Sequence, residues 1–305
     1  MKTYEPKDIV AAFKEAGIRR GDTVFFTARM LVVGRLKDAL KKEDFCQAYL
    51  TSIRDLIGSE GTLVMPTYTQ QVGRYGIPYV HESSPTPSGV LNEYFRQMPG
   101  AVRSFHPVFS LTAIGPKANE ICGSVGVTGF GATSAYANLF RLGGIGVSLG
   151  FDFESGHVTT GAHYVTVLCG SPYYYHKILD ADVYKDDKKS NKVFVLNVAY
   201  RQFGIEADYA LYMNTLKNKN HVRSAKLGDS TLYACDLKAQ LSVGYELLTE
   251  NAYAFLKNPP QWVPGAIPYD GCEEKKVFDE QSLKNDIRMG IGERWVNANQ
   301  QLQPA

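Results

Sequence analysis

The chain predicts an α/β fold on three observations. Amphipathic helical patterns alternate with short apolar runs, those runs are bounded by turn residues, and no internal repeat interrupts them. Residues 6–16 predict a helix that stops at Gly17, residues 22–28 (DTVFFTA) a strand, residues 41–57 a helix, and TLVMPTYT from residue 62 a strand. Ser88 is a candidate cap for a helix over GVLNEYFRQM, which Pro99-Gly100 closes. SFHPVFSLTAIG is extended, a short helix follows near 117–122, and Ser134 caps AYANLFRL. GIGVSLGF at 144–151 reads as a short buried strand, after which a polar loop with Asp152 and Glu154 leads into a helix capped by Thr159 or Thr160. The second half is less regular: VFVLNVAY (193–200) is a strand and EADYALYMNTL a helix. HVRSAKLG and STLYACDL form a hairpin about Gly228-Asp229, and a long helix runs from about 237 to 256.

The organisation is a body over residues 1–257 followed by an extension over 258–305. The proline-rich NPPQWVPGAIPYDG argues against regular structure, and a short helical pattern returns near 279–288. With Trp262 and Trp295 this extension should pack on the body or on a partner subunit, which makes a homodimer a candidate assembly. Thirty-three Lys and Arg against thirty-one Asp and Glu leave no charge excess for nucleic acid or an anionic membrane. Five cysteines without a CxxC pair indicate neither a disulfide framework nor a zinc site, so reduced thiols and no metal are expected. No apolar run reaches spanning length and the first residues lack a signal pattern, so the expected location is cytoplasmic.

His163 stands out because it falls in the first turn of a helix entered from a strand, where a side chain can point over the end of a sheet. On placement alone, a packing histidine is the commoner account. Four further blocks bear on it: DTVFFTARMLVVGR (22–35), GTLVMPTYT (61–69), residues 84–115, and residues 130–151. With the His163 helix and PYYYHK (172–177), their order and spacing resemble the aminoglycoside 3-N-acetyltransferase family from about residue 5 to 255.

The resemblance implies a mixed central sheet flanked by helices, and acetyl transfer from acetyl-coenzyme A to the amine of an amino sugar. RLGGIG (141–146) imitates the pyrophosphate loop of the other large acetyltransferase superfamily, the GNAT fold. It precedes a strand rather than a helix and is rejected. An attacking amine must be neutral, so a general base with a pKa near the working pH is needed, and the resemblance assigns that role to His163. In the family pattern a glutamate lies three residues on and orients the imidazole. This chain has Thr166 there, so Asp152 and Glu154 are the candidate replacements.

By the same resemblance His106 is a pocket residue contacting donor or acceptor, although a histidine bonded to fix the segment before Pro107 fits equally. Arg29, Val33, Gly34 and Arg35 are placed at the coenzyme A, with Thr67, Thr69 and Ser110 in the same cleft. Where the family shows His-Ser-Ser, this chain has Thr27-Ala28-Arg29, and Arg29 is a candidate for a charge-assisted bond to phosphate. Residues 123–131 are a candidate anion loop, and Tyr164 and Tyr173 to Tyr175 are candidate stacking surfaces for a sugar. His157 and His176 flank the site in sequence. The expected function is N-acylation of an amino sugar, of a bacterial surface polysaccharide in the leading reading, with His163 as base in a ternary complex. The alternatives are an aminoglycoside 3-N-acetyltransferase conferring antibiotic resistance and a retired binding protein of the same fold.

Overall fold

The computed structural model describes residues 2–152, 161–200 and 203–264. Two minor strands, β1 (Thr3–Tyr4) and β3 (Arg35–Leu36), pair in parallel and tie down the first residues, while α1 (Pro6–Glu15) opens on proline, whose missing N–H costs nothing at a helix start. Among the described residues the main sheet has seven strands. β2 (Thr23–Ala28) is flanked in parallel by β8 (Ile145–Leu149) on one side and β4 (Thr62–Pro66) on the other. Antiparallel strands complete both margins: β7 (Leu111–Ile114) and β6 (Val102–Arg103) beyond β4, and β14 (Ser230–Asp236) and β13 (Val222–Leu227) beyond β8. The sheet is therefore mixed, and its parallel centre is where helices must cover both faces.

They do. Alternate residues of β2 and β4 enter two cores. Val24, Phe26, Leu63 and Met65 face α1, α2 (Lys42–Ile57) and α4 (Val90–Arg96), whereas Phe25 and Val64 face α5 (Ala135–Leu142), α6 (Gly161–Leu168), α7 (Ala210–Asn218) and α8 (Leu237–Glu250). This two-sided burial is why the strands read as continuous apolar runs. Outside the main sheet, α3 (Gln70–Tyr75) leads to β5 (Tyr79–Val80), which pairs with β10 (Val183–Lys185), and β10 in turn with β11 (Lys188–Lys189). β9 (Tyr174–Ile178) pairs antiparallel with β12 (Val195–Ala199).

Most expected elements appear within a few residues of their predicted limits, including the hairpin that turns at Gly228 with φ +59°. Ser134 accepts the Ala137 N–H at 3.1 Å as the cap of α5. Three readings change. Gly89, not Ser88, precedes α4, because the Ser88 hydroxyl is engaged by the Tyr68 N–H and the Thr86 hydroxyl. The turn near 117–122 is a π-helical one over Asn119–Gly123, and the last helix stops at Glu250; PYYYHK, which carried no assignment in the sequence, supplies most of β9. Trp262, where the extension begins, packs on Phe203 at 5.2 Å between ring centres, while residues 265–305, with the 279–288 helix and Cys272, lie outside the described residues.

Candidate active site at the carboxyl ends of the parallel strands

The chain leaves β2 toward β4 and later returns on the other side of β2 as β8, so the carboxyl ends of these strands form a topological switch, where open α/β sheets place ligands. The β2 and β8 ends are drawn together by the Arg29 N–H, which donates to the Leu149 carbonyl at 2.8 Å. Gly150 permits this approach: its φ is +79°, and a Cβ there would lie 2.6 Å from the Arg29 carbonyl oxygen. A groove of about 540 Å³ lies at the opposite end of the sheet, lined by Arg54, Asp55 and Gly115.

At the carboxyl end is a groove of about 590 Å³ whose walls are Ala28 to Leu31 on one side and Pro85 to Glu93 on the other. Met30, Leu31, Pro87 and Val90 make it apolar, and two cations, Arg29 and Lys42, stand on it without an ion-pair partner among the described residues. The far wall is braced from below. The Asn92 amide donates to the Pro66 carbonyl at 2.7 Å, and the Thr86 N–H donates to the Glu93 carboxylate at 2.8 Å. Burial alone would raise the pKa of Glu93, but Arg96, 2.7 Å away, and the Thr86 N–H hold it below its ordinary value. An apolar slot with cations at its edge suits a pantetheine arm ending in phosphates.

Only Arg29 of the predicted donor residues presents a side chain to this groove. Arg35 is exposed and its N–H is spent on the Lys2 carbonyl at 2.9 Å. Val33 is fully buried, its N–H donating to the Met30 carbonyl and its carbonyl accepting from Asp229. Gly34, at φ +117°, is required because a Cβ would meet the Lys2 carbonyl oxygen at 2.6 Å. Thr67, Thr69 and Ser110 are fully buried in a network that stitches the end of β4 to the segment before β7. Ser110 Oγ donates to the Thr67 carbonyl at 2.6 Å and accepts from Arg103 Nε, Thr67 bonds Thr112, and Thr69 donates to the Pro107 carbonyl. These bonds tie the three side chains to the scaffold, and none of the three lines the groove beside Arg29.

His106 is likewise engaged by the backbone. Its Nδ1 accepts from the Val108 and Phe109 N–H groups at 3.2 and 3.0 Å, and Nε2 faces the Val195 carbonyl at 3.4 Å. Burial pushes its pKa down to about 4, so it is a neutral ring bracing the chain around Pro107. The loop over 123–131 spends its N–H groups internally. Gly126 donates to Thr133, Gly129 to Val195, and Phe130 to the Asn197 side chain, so it offers no anion cradle at those positions. Gly143 and Gly144 lead into β8, which upholds the rejection of RLGGIG.

His163 lies on the outward side of α6 while Ala162, Tyr164, Val165 and Thr166 are buried behind it. Its Nδ1 is 3.0 Å from the Tyr174 hydroxyl and 3.4 Å from the Tyr209 hydroxyl, and Tyr209 meets the ring edge-on. The ring keeps accessible surface, yet the protein packed around it disfavours the charged form and lowers its pKa, leaving a free base at neutral pH. Thr166 donates to the Ala162 carbonyl of its own helix at 2.7 Å. Asp152 is exposed just beyond β8, and Glu154, His157, Thr159 and Thr160 lie outside the described residues. Tyr164 and Tyr173 are buried rather than offered to a sugar, Tyr175 stacks on Tyr200 at 4.6 Å, and His176 is exposed on β9. Sequence reasoning missed Lys42 and Tyr209, whose partners are distant in the chain, and singled out Tyr174 only as a stacking surface.

Comparison with known proteins agrees with this geometry. The model of the aminoglycoside 3-N-acetyltransferase family matches residues 31–249. Aminoglycoside N(3)-acetyltransferase VII of Streptomyces paromomycinus is 30% identical over 176 residues, covering 51% of this chain and 58% of its own. The aminoglycoside N(3')-acetyltransferase-like protein YokD of Bacillus subtilis is 26% identical over 171 residues, 49% of this chain and 61% of its own. The chain thus spans about three fifths of the length of these curated relatives. Among solved structures, the apoenzyme of aminoglycoside acetyltransferase AAC(3)-IVa superposes with a TM-score of 0.67 at 21% identity, covering 84% of this chain and 93% of that one. AAC(3)-Xa superposes with a TM-score of 0.69 at 18% identity, covering 84% and 95%. Other solved neighbours hold a gentamicin, apramycin and sisomicin. The chain belongs to the aminoglycoside 3-N-acetyltransferase family and has its fold, a mixed sheet with helices on both faces.

Proposed function

We propose that this protein is an acetyl-CoA-dependent N-acetyltransferase acting on an amino sugar of the aminoglycoside type, with His163 as its general base. The observation that carries the reading is a histidine held neutral on the outward side of α6, in a family named for this reaction. The groove beside Arg29 and Lys42 supplies what the acyl donor needs, an apolar channel for the thioester arm and cations for its phosphates. His163 Nε2 takes a proton from the acceptor nitrogen as that nitrogen attacks the thioester carbonyl. The C–N bond forms, the C–S bond breaks, and the sulfur leaves as thiolate, which takes the proton from His163 Nε2 to become the free thiol. A base so placed contributes about 10²- to 10⁴-fold in rate.

The aminoglycoside reading of the acceptor is favoured over a surface-polysaccharide amino sugar because both the curated relatives and the ligand-bound neighbours carry the former. The test is thiol release from acetyl-CoA by the purified chain against a panel holding gentamicin, apramycin, sisomicin and simple amino monosaccharides. Acetylation of an aminoglycoside with the monosaccharides inert supports the reading. Turnover restricted to the monosaccharides moves the acceptor to the polysaccharide class, and tight acetyl-CoA binding without any turnover revives the retired enzyme.

A further inference from the structure

Resting on the reading of His163 as the base, we infer that Tyr174 is its positioning residue, a phenol taking the part that the related pattern gives to a carboxylate. Thr166, at the position of that carboxylate, is almost fully buried and its hydroxyl bonds the Ala162 carbonyl, so it cannot turn toward the ring without abandoning its own helix. The Nδ1 atom is met instead from another element. Tyr174 is the first residue of β9, its N–H bonds the Ser171 carbonyl at 3.1 Å, and it pairs in register with Ala199 of β12. Its hydroxyl, 3.0 Å from Nδ1, is thus carried by a paired strand, which holds an orientation better than a loop does.

Chemistry fixes the direction of the bond that catalysis needs. When Nδ1–H donates to the Tyr174 oxygen, the ring's lone pair lies on Nε2, free to take a proton, and the Tyr174 proton passes on to the Tyr209 hydroxyl, with which it also bonds. Tyr209, at 3.4 Å from Nδ1, is the outer member of the pair. Burial raises the Tyr209 pKa, so that phenol stays protonated and donates no charge to the ring. A neutral phenol orients the imidazole while stabilising imidazolium less than a carboxylate would. That agrees with a base whose pKa is depressed rather than raised.

The test uses the full chain with the best acceptor of the panel and compares Tyr174→Phe, Tyr209→Phe and His163→Ala, each checked for an unchanged melting temperature. Tyr174→Phe should lower kcat about tenfold, the worth of one lost orienting hydrogen bond, with KM for both substrates within about twofold. In ¹⁵N NMR of the unliganded protein, His163 should be the Nδ1–H tautomer in the wild type and should lose that preference in Tyr174→Phe. Tyr209→Phe should keep the tautomer. An unchanged kcat together with an unchanged tautomer in Tyr174→Phe overturns the inference. Wild-type turnover in His163→Ala overturns instead the reading of the base, and the NMR result still decides, without any turnover, whether Tyr174 sets the tautomer.

Discussion

Two imidazoles of this chain are both neutral and are used in opposite ways. His106 has every ring nitrogen engaged by backbone groups, so His106→Ala should leave buried N–H groups of Val108 and Phe109 unpaired and cost about 1–3 kcal/mol in chemical denaturation. His163 has its side-chain contacts at Nδ1 among the described residues, and the proposed function gives Nε2 the acceptor's proton. His163→Ala should cut turnover at least a hundredfold, about 2.7 kcal/mol of barrier, with donor affinity by calorimetry nearly unchanged. Because its pKa is lowered, the acid limb of kcat/KM should fall at a pH below the ordinary histidine value of 6.5, the activity being full above and lost as the ring protonates. A limb above 6.5 would mean that a negative charge faces the ring. The placement of His163 in the first turn of α6 was legible in the sequence because it is local. Its partners were not, since Tyr174 and Tyr209 come from elements 11 and 46 residues away.

At the level of elements, the segment after β2 lines the groove, while most of the side chains expected at the donor are spent on packing and backbone contacts. Val33, Gly34, Thr67 and Ser110 belong to motifs whose spacing is set by the joining of β2, β4 and β7, a packing constraint that looks the same in sequence as a binding constraint. The loss of hydroxyls around Arg29 is matched in space by Lys42 from the start of α2, a pairing no local pattern reveals. If these cations hold the donor's phosphates, Arg29→Ala and Lys42→Ala should each weaken acetyl-CoA binding about tenfold. Together they should also reduce the salt dependence of that affinity, with no change in melting temperature because neither has an ion-pair partner among the described residues. Gly150→Ala should instead act on the scaffold, since its Cβ would collide with the Arg29 carbonyl where β2 and β8 converge. A loss of about 1 kcal/mol or more in denaturation is expected.

For the whole molecule, burial is the common cause of the lowered histidine pKa values. Packing holds His81 at about 3 and His106 at about 4, while in an unfolded chain both titrate near 6.5. Below 6.5 the unfolded chain therefore binds more protons, and the stability that rests on these neutral rings, whole above that pH, drains as pH falls toward 3. At about 1.4 kcal/mol per unit, melting temperature should drop steeply between about pH 6 and pH 4, and a flat profile would contradict the burial. The architecture itself was legible at length, because alternating helix and strand patterns and five ordered motifs constrain the fold jointly. The acceptor was not, because charge summed over 305 residues says nothing of one pocket.

The measurement that bears most directly on this account is the rate of thiol release from acetyl-CoA by wild-type and His163→Ala protein, with the best acceptor of the panel. The account predicts acetylated amine from the wild type and a rate at least a hundredfold lower from the variant. Equal rates would contradict it.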